Sequence, residues 1–258
     1  MTYFKELYNY REMIYSLVRK ELRGRYKGSI LGFLWTFINP LLQLLVYTLV
    51  FSIILPNNIE KFYLYLFVAL VPWIFFSGSL TGGSACIMVQ KDLVKKIYFP
   101  REVLPIAYVI SGFINMLLTF IVIFGVILFS GTGINFIALL YLPVIMLVEF
   151  ILALGFTMLT SSLNVYFRDL EYILGILTMA WMYMTPIVYS FDMVPAGLVP
   201  IFNLNPMTPI IMAYRDVLYY KQSPELSTLL NALVFGIVIL LVGTVVFRKL
   251  QRGFAEEL

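Results

Sequence analysis

"VKKIYFPREVLP", residues 94–105, packs two lysines, an arginine, a glutamate and two prolines into twelve positions. The runs that flank it, 62–84 and 103–130, are almost wholly apolar, in a chain of 258 residues of which only 12% are charged. A polar knot between two greasy runs reads as a loop between two membrane crossings. Composition agrees: 61% of residues are hydrophobic, against about 45–50% in a soluble domain. One small core cannot bury that excess, so the solvent for much of this chain is lipid.

The same grammar extends outward from the knot. Crossing a ~30 Å hydrocarbon core takes about 20 helical residues at a rise of 1.5 Å each. Runs of sufficient length lie at about 30–55, 62–84, 103–130, 137–163, 172–190 and 226–247, which predicts six crossings. Residues 1–29 carry seven basic residues, the loop 85–102 four, 164–171 Arg168, and the tail Arg248, Lys249 and Arg252. The alternate connections carry only Lys61, Arg215 and Lys221. Basic residues thus divide fifteen to three, and the positive-inside rule puts both termini in the cytoplasm. The expected fold is an all-α integral membrane protein with six transmembrane helices. The net charge of +4 is distributed by this rule, so it argues for membrane lipids as partners and not for nucleic acid.

Residues 1–29 form their own unit. Phe4, Leu7, Met13 or Ile14, Leu17 or Val18, Leu22 and Tyr26 recur at helical spacing with basic residues on the other faces. That pattern predicts an amphipathic helix in the membrane interface, serving as an anchor or as a moving gate. The first apolar run is too long, and lies too far behind this segment, to be the core of a cleavable signal. Arg23, Arg25 and Lys27 stand just before that run. They are either lipid anchors or the receiver of a phosphorylated headgroup, which arginine grips through paired hydrogen bonds.

Residues 186–225 break the pattern of long spans, with Pro186, Pro195, Pro200, Pro206, Pro209 and Pro224 among short apolar stretches. Asn205–Pro206 and Thr208–Pro209 each offer a cap residue followed by proline, a helix-start signal. The region is either an outer loop with surface helices or a pair of half-helices dipping into a conduit.

Chemistry-bearing residues are few. There is no histidine and one cysteine, Cys86, which excludes an internal disulfide, a His/Cys metal cluster and an imidazole base. "TGGS" at 81–84 lacks the spacing and lysine of a nucleotide-binding loop, and "GSLTG" at 78–82 reads as close helix packing. No catalytic or metal residues are assigned. Glu149 is the one acid near the middle of a span, either a protonated carboxyl bonded to a neighbouring helix or part of a wet passage. Aromatic residues make up 17%. Many lie at span ends, where interfacial belts are expected. Trp35, Tyr47, Phe76, Trp181 and Tyr183 are the candidates for rings that face inward, where an apolar face and a polar tip suit a sugar.

"RYKGSILGFLWTFINPLL" (25–42), "VPWIFFSGSL" (71–80), "FPREVLP" (99–105), "LNVYFRDL" (163–170) and "TPIVYS" (185–190) together resemble the membrane subunit of ABC-2-type polysaccharide exporters. The likeness runs in order along nearly the whole chain. It implies a permease for lipid-linked O-antigen (the glycan of lipopolysaccharide), capsule or teichoic acid in the bacterial cytoplasmic membrane, with no nucleotide site of its own. It implies a homodimer joined to two copies of a cytoplasmic ATPase, which would hold the ATP and magnesium. It further implies an N-terminal interface helix over 1–29, a transmembrane domain over 30–258, a coupling helix at about 89–99, re-entrant helices at about 186–225 and an aromatic-lined channel. Val89, Leu93, Val94 and Ile97 predict an apolar stripe on the coupling helix, ringed by Lys91, Asp92, Lys95 and Lys96 and ended by Pro100. On this reading the stripe has no core of its own and seats in the ATPase, with Arg168 and Asp169 as a second contact. Two other classes share parts of the pattern: an ABC-2 permease for a small drug or peptide, and an integral membrane transferase, which the missing catalytic cluster disfavours.

Overall fold

The computed structural model describes residues 2–24, 28–51 and 59–258, and all regular structure among them is helical. The N-terminal segment, expected as one helix, forms two: α1 (Thr2–Asn9) and α2 (Arg11–Gly24), which meet at Tyr10. Leu17 and Val18 of α2 are buried, whereas Arg11, Arg19, Lys20 and Arg23 are exposed. The expected amphipathicity is therefore present. Its apolar face lies against Ile110 and Ile114 of a later helix, so that protein covers part of it.

The chain then runs through α3 (Trp35–Leu49), α4 (Phe62–Ser84), α5 (Cys86–Val89), α6 (Lys91–Lys96) and α7 (Val103–Phe129). It continues through α8 (Phe136–Leu139), α9 (Leu142–Asn164), α10 (Leu170–Tyr183), α11 (Val199–Leu204) and α12 (Met207–Arg215). A five-residue π-helical turn, Asp216–Tyr220, leads to α13 (Leu226–Leu250) and a terminal turn, α14 (Phe254–Glu257). Local chemistry sets several of these ends. The Asn135 side chain accepts hydrogen bonds from the Ile137 and Ala138 amides and so caps α8. Extended backbone at Ile97 stops α6 ahead of Pro100.

Among the described residues, five helical segments are long and apolar enough to cross a bilayer: Gly32–Leu49, Phe62–Ser84, Val103–Phe129, Phe136–Asn164 and Leu226–Glu257. The chain is a multi-pass membrane protein. The sixth expected run, 172–190, becomes the 14-residue helix α10 followed by a turn. At 1.5 Å per residue α10 reaches only about 21 Å, and Pro186, which has no amide hydrogen to extend the helical ladder, follows its end. The two proline-led starts also resolve differently from expectation. Asn205 accepts a hydrogen bond from the Met207 amide at the start of α12, while Thr208 and Pro209 lie inside that helix.

The helix α4 is the axis of the bundle. It is buried along most of its length, with α3, α7, α9, α10 and α12 around it. The short helix α12 is buried among these spans, not laid on a surface. Outward faces remain apolar where lipid or another chain would meet them, as at Leu45 and Leu49 of α3, Ile176 and Leu177 of α10, and Leu241 and Val245 of α13.

Candidate functional site

A second, smaller core gathers the ends of the bundle that carry most of the positive charge. Leu17 and Val18, Ile87, Val94, Phe99, Val103, Val165, Phe247 and Phe254 pack into one cluster there. The helix α6 rides on it. Asp92 stands in its first turn and Lys95 and Lys96 in its last, the arrangement that the helix dipole favours. The expected single stripe is not formed. A break at Gln90 separates α5 from α6, so the predicted positions do not share one face. Val94 turns into the chain's own core, contrary to the expectation that this helix lacks one, and Leu93 packs half-buried beside it. Ile97 (55% exposed) and Tyr98 (93% exposed) point outward, next to exposed Asp92, Lys95 and Lys96.

This surface is held from behind. Lys20 Nζ of α2 donates to Gln90 Oε1 at 2.9 Å. Arg101 donates to the Gln251 carbonyl and lies 5.8 Å from the Phe254 ring centroid. Arg248 Nε sits 3.6 Å from Oε1 of buried Glu102. The Tyr166 hydroxyl donates to the Leu250 carbonyl at 2.8 Å, and Arg168 Nη2 donates to the Glu257 carbonyl at 3.4 Å. Exposed Arg168 and Asp169 thus lie at the same end as α6, tied to it through the C-terminal segment. Charge counting saw only cations in that tail. Phe254, a lone ring in a polar stretch and fully buried here, was the available sign that the tail is structural. Of the basic trio, Arg23 is exposed in the last turn of α2, and Arg25 and Lys27 fall outside the described residues.

The five candidate rings do not meet on one surface of the single chain. Phe76 is fully buried and packs edge-on against Trp181, with centroids 5.2 Å apart, and against Phe156 at 5.8 Å. Trp181 is half-buried and donates to Asn205 Oδ1 at 2.8 Å. The Tyr47 hydroxyl reaches Met182 Sδ at 3.9 Å. Tyr183 and Trp35 are exposed, Trp35 at the start of α3. Phe76 and Trp181 therefore build the interior that supports α10, whereas Tyr183 and Trp35 offer surface.

Glu149 has a partner that sequence reasoning missed. The Tyr214 hydroxyl on α12 donates to Glu149 Oε2 at 2.6 Å, with both residues fully buried, and Oε1 has no partner. Arg215, assigned by charge counting to an outer loop, is 3% exposed. Its guanidinium lies 3.6 Å from the Tyr65 ring centroid and donates to the backbone carbonyls of Pro186, Ile187 and Tyr65. Adjacent residues of α12 thus fasten it to α9 on one side and to the turn after α10 on the other. Because the carboxyl accepts from Tyr214, Glu149→Gln is expected to change stability by less than about 1 kcal/mol. Glu149→Leu strands a buried hydroxyl and is expected to cost about 1–3 kcal/mol. Unfolding of both variants in detergent checks the difference; equal, large losses would mean that the charge itself is required.

Comparison with known proteins adds a second line. Residues 12–219 match the family described as ABC-2 type transporter. The chain is 34% identical over 256 residues to the O-antigen export system permease protein RfbA of Myxococcus xanthus, covering 98% of each chain. An O-antigen export system permease protein of Klebsiella pneumoniae is 30% identical over 247 residues, 96% of this chain and 95% of its own. The polysialic acid transport protein KpsM of Escherichia coli is 20% identical over 244 residues, 92% of this chain and 93% of its own.

Proposed function

Because the chain belongs to the ABC-2 type transporter family, we propose that it is the membrane-spanning subunit of an ATP-driven exporter of a lipid-linked polysaccharide. The observation that carries this reading is the end-to-end likeness to O-antigen export permeases, over 98% of both chains in one case. In this reading two copies of the chain form the conduit in the bacterial cytoplasmic membrane, and two copies of a separate ATPase bind their cytoplasmic ends. Six passages are made, with α10 and its following turn as the fifth and α11 and α12 re-entering from outside. Such broken helices at depth are tolerated where protein covers them, as it does α12. The test is a deletion of the gene in its own host. Glycan should vanish from the cell surface and accumulate inside, and plasmid-borne permease should restore it; unchanged surface glycan would refute the reading.

Topology makes a separate prediction. Burial pushes the Cys86 thiol up, so it reacts poorly, and Cys86→Ser gives a clean background. Cysteines at Thr132 and Ser223 should then label with an impermeant maleimide from outside. Cysteines at Lys95 and Arg252 should label only after permeabilisation. Outside labelling at Lys95 would overturn the six-passage arrangement.

A further inference from the structure

The helices α3, α4 and α7 enclose a cleft of about 190 Å³, and none of the described residues that line it is charged. Thr36 and Asn39 of α3, Ser79 of α4, and Tyr108, Asn115 and Thr119 of α7 line it. These are amides and hydroxyls set within three of the segments long and apolar enough to cross a bilayer. Two of them are incompletely used. Ser79 is 2% exposed, and its Oγ has no partner. Asn115 Oδ1 is likewise buried and unpartnered. The Thr119 hydroxyl, by contrast, donates to the Asn115 carbonyl at 2.9 Å and fixes that wall. Buried polar atoms are nearly always paired, so unpaired ones that line a cavity mark a place for a ligand's polar groups. At the rim stands Trp35, an exposed ring whose indole N–H is engaged by Ser29 Oγ at 2.9 Å.

The chemistry of this lining selects among ligands. With no cation among its described residues it does not suit a phosphate, which calls for arginine or lysine. Neutral donors and acceptors beside an aromatic face suit a sugar ring, whose hydroxyls both give and accept hydrogen bonds while its C–H face stacks. The volume is below the roughly 300–1,000 Å³ of pockets for drug-sized molecules, so the cleft fits one ring and not a length of polymer. Trp35 opens α3, Ser79 stands near the end of α4, and Tyr108 near the start of α7. The cleft therefore lies in the half of the bundle next to the basic end. We propose that it binds a single sugar ring of a lipid-linked saccharide in the half of the bilayer next to the ATPase. This rests on the polysaccharide reading and adds to it a site outside the Phe76–Trp181 interior.

Gly78 supplies the test. It lines the cleft, and a Cβ built there meets nothing within 4 Å, so Gly78→Leu fills the space without a backbone clash. Asn115→Leu removes the unpaired amide instead. The permease with its ATPase, in lipid nanodiscs, would be titrated with radiolabelled octyl glucoside at submicellar concentration, with octyl phosphocholine and free glucose as competitors. Saturable binding to the unmodified protein, weakened at least tenfold in both variants, is expected. Neither competitor should displace the probe at equal concentration, and surface glycan in cells should fall several-fold with ATPase association unchanged. Normal binding by both variants overturns the site. Displacement by octyl phosphocholine overturns the sugar assignment, and displacement by glucose as effective as octyl glucoside overturns the lipid-linked one. Failure here is separable from failure of the exporter reading. If deleting the gene leaves surface glycan intact, the reading falls whatever the probe does. If deletion abolishes it while both variants bind and export normally, only the cleft falls.

Discussion

Gly155→Leu should leave almost no folded permease in the membrane. Gly155 of α9 faces α13 at a distance no other residue allows: a Cβ there would lie 2.6 Å from the Leu240 amide nitrogen and 2.9 Å from the Ile239 carbonyl carbon and Leu240 Cα. These are backbone atoms and cannot rotate away. The approach is mutual, since a Cβ on Gly243 would lie 2.5 Å from the Gly155 carbonyl oxygen. Lipid is as apolar as leucine, so membrane helices are held by close packing and not by escape from water. Separating this pair gives up that packing along both spans. Gly155→Ala is expected to cost about 1–3 kcal/mol from overpacking, partly offset by up to about 1 kcal/mol of helix propensity. The leucine variant should exceed any such offset. Gly175→Ala, whose added Cβ meets nothing within 4 Å, is the control and should unfold like the parent or slightly later. Fluorescence-detected size exclusion and thermal unfolding in detergent measure all three. A monodisperse Gly155→Leu protein at parental yield would show that α9 and α13 do not pack this closely.

That contact also shows what could be read from the sequence. Long apolar runs announce themselves because lipid imposes a length, and five of the six expected runs are long helices within a residue or two at most described ends. Pairing between spans has no such signature. Gly236 and Gly243 lie seven apart, two helical turns on one face, yet nothing local says that the first meets Leu152 and the second Gly155 of α9. The "GSLTG" stretch, read as close packing, packs at one end only: a Cβ on Gly82 would meet the Tyr108 side chain of α7, whereas one on Gly78 meets nothing within 4 Å. Tyr214, Arg215 and Asn205 were invisible for a related reason. Their partners, Glu149, the carbonyls of 186 and 187, and Trp181, are 65, 29 and 28, and 24 residues away, and only the folded path of α12 brings them together. The amphipathic helix at 89–99 was half legible. Its charges emerged where expected, but the turn at Gln90 moved Val94 inward and Ile97 outward, and periodicity alone does not register a break.

That redistribution decides where the ATPase should bind. Truncating Leu93 would disturb the chain's own cluster as well as any docking, because its side chain packs half-buried against it. Ile97 and Tyr98 have no such role: both are exposed, and they stand beside the two lysines at the end of α6. Interfaces draw most of their energy from a few central side chains, tyrosine prominent among them. If each residue contributes about 1.4 kcal/mol, the Ile97→Ala/Tyr98→Ala pair weakens association about a hundredfold. The fold should be untouched, since neither side chain covers a core. Lys95→Gln/Lys96→Gln should do less, because rim charges tune encounter and salt dependence more than affinity. The expected result is a permease that reaches the membrane normally, retains its detergent stability, fails to pull down its ATPase and exports little glycan. Leu93→Ala should instead lower the unfolding temperature while binding whatever ATPase the folded fraction can hold. Should the alanine pair bind and export normally while the lysine replacements fail, docking is electrostatic and the outward face of Ile97 and Tyr98 is not its site.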